Sequence, residues 1–119
     1  MSEPTFRMNP DPAGMTPSDF MLKDSFTTDD TTETNLFSYC AEDESVLSGV
    51  WEVAPTKEAY PDGYPVHEMM HVISGSVTMT HPDGRSETFK AGDTFYITKG
   101  APCTWENTET MRKFYMIAT

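Results

Sequence analysis

From Asn35 onward the chain reads as short runs of β-branched and aromatic residues separated by turn signals, the pattern of strands rather than helices. The runs predict strands at Leu36–Cys40, Val46–Ala54, Val66–Ser74, Ser76–His81, Arg85–Lys90, Thr94–Thr98, Cys103–Asn107 and Met111–Ala118. Between Ser76 and Lys90, Asp83-Gly84 supplies the positive-φ turn that a tight hairpin needs. No segment keeps a helical period over a useful length. Short strands at this spacing predict an all-β sandwich or barrel over residues 35–119.

Residues 1–34 follow no such period. They hold Pro4, Pro10, Pro12 and Pro17 and the polar stretch Thr27-Thr28-Asp29-Asp30-Thr31-Thr32-Glu33, which predicts an irregular, acidic N-terminal arm. Phe20, Met21, Leu22 and Phe26 offer apolar anchors on a barrel groove or a partner subunit. The formal net charge of −11 is unevenly spread: residues 1–45 carry ten acids against two bases, residues 46–119 nine against six. With no basic patch to neutralise phosphates, nucleic acid is not an expected partner, and anionic lipid is no better. The first residues show no apolar secretory stretch, and no run approaches a membrane span. Cys40 and Cys103 stand 63 positions apart with no framework spacing, so two reduced thiols in a cytoplasmic protein are expected.

Two segments, Glu68-Met-Met-His-Val-Ile-Ser-Gly75 and Gly92 to Asn107, resemble the paired motifs of the cupin superfamily. Glu68 and Gly75 keep the separation of the first motif, and Gly92, Gly100 and Asn107 fall in place in the second. More narrowly, Gly49-Val-Trp-Glu-Val-Ala-Pro55 and the ending Thr104-Trp-Glu…Arg112-Lys-Phe-Tyr-Met are similar to the subfamily of ureidoglycine aminohydrolase and the ethanolamine-utilisation cupin. The resemblance implies a double-stranded β-helix, the jelly-roll barrel, over roughly Val46 to Ile117. It leaves the arm unexplained.

In a metal cupin three histidines and a glutamate hold one divalent ion, a donor set suited to transition metals. Here the expected histidine pair falls on Asp62 and Tyr64, or on Pro61 and Gly63, and the third histidine on Cys103. Glu68 alone remains. His67 and His71 are close by, but strand alternation turns them outward if Glu68 points in. A slip or bulge would leave His67, Glu68 and Cys103 as an altered metal site; otherwise no metal or cofactor is expected. A carboxyl in an apolar barrel must be protonated, paired or hydrogen-bonded, and Tyr64, Tyr96, Trp51, Trp105 and Tyr115 are candidate partners. Three readings follow: a binding pocket for a small polar metabolite lined by Tyr64, Glu68, Cys103 and Trp105; an enzyme, metal-independent or with an altered metal, using Glu68 as catalytic acid or base; or a non-catalytic structural component. Small barrels of this kind have sheet edges to cover, so a homodimer is expected.

Overall fold

The structure, a computed structural model, describes residues 4–119; the first three residues of the arm lie outside it. The strands are β1 (Thr16–Pro17), β2 (Glu33–Cys40), β3 (Val46–Val53), β4 (Thr56–Tyr60), β5 (His67–Ser74), β6 (Ser76–Thr80), β7 (Ser86–Lys90), β8 (Thr94–Ile97), β9 (Cys103–Asn107) and β10 (Met111–Ala118). They form a six-stranded sheet in the order β1-β2-β3-β10-β5-β8 and a four-stranded sheet in the order β4-β9-β6-β7. From β3 onward the chain changes sheet at almost every connection. Only the β6–β7 hairpin stays in one sheet. That winding is the all-β jelly-roll barrel expected from the sequence.

Period-two burial sorts the side chains. In β5, Glu68, Met70 and Val72 are buried, whereas His67, Met69 and His71 are not. In β10 the buried set is Met111, Lys113 and Tyr115. The inward faces of both sheets meet in one core, with Val53, Met70, Val72 and Met111 fully enclosed and Trp51 set edge-on to Trp105. At the β5–β6 corner, Gly75 adopts φ +75°, and a Cβ there would overlap the Thr110 carbonyl and the Met111 backbone. The corner therefore requires glycine.

Besides β1, a two-residue strand inside the arm expected to be irregular, two elements differ from the expectation. Thr56–Tyr60 forms a strand absent from the predicted set, and β2 begins at Glu33, three residues before the strand predicted from Leu36. Both have polar residues facing inward. Thr56 and Glu58 in β4 are buried, as are Glu33 and Asn35 in β2, so an apolar period cannot mark them. Asn107 ties β4 to β9: it accepts from the Thr56 hydroxyl and the Trp105 indole, and donates to the carbonyls of Ala54 and Glu109.

The arm is pinned to this frame. Met21 is buried in the core and Phe26 packs against it, while Phe20 and Leu22 stay 59% and 68% exposed. Two carboxylates do the pinning. Glu33 accepts from the Ser18 hydroxyl, the backbone N–H groups of Phe20 and Met21, and the Trp51 indole. Glu58 accepts from the Leu22 N–H and the Ser25 hydroxyl in a single 3-10 turn, Lys23–Ser25. No helix among the described residues is long and apolar enough to cross a membrane.

Candidate functional site

Glu68 sits inside the barrel, 3% exposed. The Tyr64 hydroxyl donates to its Oε1 at 2.8 Å, and the Lys113 ammonium donates to its Oε2 at 2.6 Å. Burial, and then the negative charge of Glu68, push the Tyr64 hydroxyl well above its ordinary value of 10, so it remains a donor to the carboxylate across the physiological range. Burial likewise pushes Tyr115 up to about 12. Tyr115 is turned away from the pair, donating to Asn35 Oδ1.

Lys113 is the residue that the sequence expectations omit. Its register opposite Trp51 in β3 and Val72 in β5 places it on the inward face. Its Nζ lies 4.5 Å from the Trp51 ring centroid, 4.8 Å from that of Trp105 and 5.9 Å from that of Tyr115. Two indole faces and a carboxylate thus enclose one ammonium group, the combination that holds a desolvated cation. The signal for it was present: alternation in Met111–Ala118 puts Lys113 in register with Met111 and Tyr115.

Beside this pair lies a cavity of about 290 Å³. Its walls include Leu47, Trp51, Val66, Trp105 and Ile117 from the barrel, closed on one side by Phe20 and Met21 of the arm. Phe20 meets Phe37 edge-on at 6.5 Å. Glu68 and Lys113 are the charged residues of the lining.

The other expected site residues are distributed as follows. Tyr64, Glu68 and Trp105 all line the cavity, and Cys103 does not. Cys103 is buried on β9, and burial raises its thiol above the ordinary range, which leaves it a packing residue rather than a thiolate. Both cysteines are free, with Cys40 exposed. His67 accepts from the Lys99 N–H and stacks on Tyr96; His71 bonds to the Thr94 hydroxyl and stacks on Phe114. Both imidazoles face away from Glu68, on the opposite side of the strand. A divalent ion does not fit this donor set. The Glu68 carboxylate already holds a cation, His67 and Cys103 do not converge on it, and no three His, Cys, Asp or Glu side chains among the described residues are grouped for a metal.

Barrel winding, corner glycines and a retained inward glutamate define a cupin domain. The chain belongs to the EutQ-like cupin family, whose model matches residues 40–115. Among solved structures it is similar to a protein of unknown function of the DUF861 family from Pseudomonas syringae pv. tomato (TM-score 0.78, 29% identity, 89% of this chain and 45% of that one). It is also similar to the EutQ protein of Clostridium difficile (0.60, 20%, 74% and 68%). A DUF861 protein from Thermotoga maritima matches as well (0.50, 29%, 56% and 73%). The chain thus spans under half the length of the Pseudomonas protein. No curated protein sequence matches it.

Proposed function

We propose that the barrel is a binding site for a small organic ligand, which enters the cavity beside Glu68 and Lys113. The observation that carries this reading is an open apolar cavity, about 290 Å³, converging on one hydrogen-bonded ionic group. Such a cleft with few polar groups is the usual form of a ligand site, at the small end of the size range. A purely structural Glu68 would not need an open space at its carboxylate. The Glu68 position is held by Lys113, so the ligand binds without a metal. The test is a thermal-shift screen of small metabolites, repeated on Leu47→Trp, whose bulk projects into the cavity. A ligand of this site raises the melting temperature of the native protein and not of the variant. A shift that survives Leu47→Trp unchanged places the ligand elsewhere and overturns the reading.

A second reading is favoured by the same triad. A carboxylate set between a hydroxyl donor and an ammonium at the edge of an apolar cavity is arranged to move a proton on a bound substrate, with Glu68 as the acid or base. It predicts that Glu68→Gln keeps ligand binding within a few-fold and loses turnover by about 10²–10⁴-fold. Equal turnover by Glu68→Gln and the native protein would leave binding alone.

A further inference from the structure

We propose that the cavity selects uncharged ligands: an apolar body of about ring size ending in a single hydroxyl or carbonyl, with carboxylates and ammonium ions refused. This rests on the cavity being a ligand site, and adds the ligand's chemistry. The charged lining consists of Glu68 and Lys113, whose charges cancel at 2.6 Å. A carboxylate head would set a second negative charge beside Glu68 inside apolar walls. An ammonium head would set a second positive charge beside Lys113, whose aromatic faces, Trp51 and Trp105, already hold a cation. Either head leaves one charge without a partner in a low-dielectric space, the costly arrangement for a buried ion.

What the pair still offers is a neutral hydrogen-bonding edge. Of the three N–H groups of Lys113, one goes to Glu68 and one to the Met70 sulfur. The third has no hydrogen-bond acceptor among the described residues, only the Trp51 and Trp105 rings, and a ligand oxygen would take it in their place. Each Glu68 oxygen takes one donor, from Tyr64 or Lys113, and a carboxylate oxygen has room for a second. A hydroxyl uses both the spare donor and the spare acceptor, and a carbonyl uses the donor. The rest of the lining is largely aromatic and aliphatic, so the remainder of the ligand is apolar.

The experiment uses three probes that share a ring and differ in the head: cyclohexylmethanol, cyclohexanecarboxylate and cyclohexylmethylammonium. Trp51 and Trp105 are the two tryptophans of the chain and both line the cavity, so intrinsic fluorescence reports binding directly. At neutral pH the alcohol is expected to perturb the emission saturably, with the two ions at least about tenfold weaker. Glu68→Gln should shift the preference toward the carboxylate, and Lys113→Met toward the ammonium ion. A charged probe that binds the native protein as well as the alcohol does overturns the selection rule and leaves the cavity a ligand site. Failure of all three to perturb the tryptophans at millimolar concentration sinks the ligand-site reading itself. The native series decides by itself should either variant fold poorly.

Discussion

Replacing Lys113 with methionine is expected to lower the unfolding free energy by about 3–5 kcal/mol, because it removes one partner of a buried ion pair and strands the other. Methionine is near in length and apolar, so little packing is lost and the effect is electrostatic. Glu68 keeps the Tyr64 hydroxyl but loses the ammonium at 2.6 Å, at a position only 3% exposed. Glu68→Gln is expected to cost less, about 2–3 kcal/mol, since the stranded ammonium still faces the Trp51 and Trp105 rings. The double replacement should be milder than the sum of the two by at least about 2 kcal/mol, as neither charge is then left without the other. Urea unfolding of the four proteins gives the coupling directly. Additive losses would show that the two groups act independently and that the ion pair does not organise the barrel interior.

Lys113 also marks where the sequence stops being legible. The barrel was readable because its winding rests on local signals: the Asp83-Gly84 hairpin, the corner glycines and apolar alternation in β5, β6 and β10. Glu68 was readable because alternation turns it inward with Met70 and Val72. The same alternation turns its partner inward with Met111 and Tyr115, but a lysine in a strand is ordinarily a solvated outer residue, and nothing local says that two tryptophans from other strands will roof it. The register that brings Trp51 opposite Lys113 is a long-range fact. β4 failed for a related reason: Thr56 and Glu58 face inward but are satisfied by the Asn107 side chain, the Leu22 N–H and the Ser25 hydroxyl, all 33 or more positions away. Cys103 shows the opposite error. Motif spacing puts it at a ligand position, yet a small buried thiol needs no ligand and packs into the core.

Glu33 ends the polar stretch of the arm, and the structure makes it the arm's main anchor, so its replacement is expected to have a large effect for a residue of that stretch. Three donors converge on Oε2, from the Ser18 hydroxyl, the Phe20 N–H and the Trp51 indole, and the Met21 N–H donates to Oε1. Glu33→Ala strands these donors, several of them buried, and is expected to cost about 3–4 kcal/mol. Glu33→Gln is the sharper test. An amide matches the carboxylate in shape but accepts on one oxygen only. If that oxygen takes the three donors, the NH₂ group faces the Met21 N–H, donor against donor, and the reverse orientation is worse. The isosteric change is therefore expected to cost about 1–3 kcal/mol, whereas Glu87→Gln on the exposed β7 should stay within about 0.5 kcal/mol. Because the same contacts hold Phe20 and Met21 against the cavity, trypsin should cut after the exposed Lys23 at least about tenfold faster in both Glu33 variants, and the Trp51 emission should shift to the red. Should Glu33→Gln prove as mild as Glu87→Gln, with Lys23 still protected, the arm is held by its apolar contacts at Met21 and Phe26, and the carboxylate is not what closes that wall of the cavity.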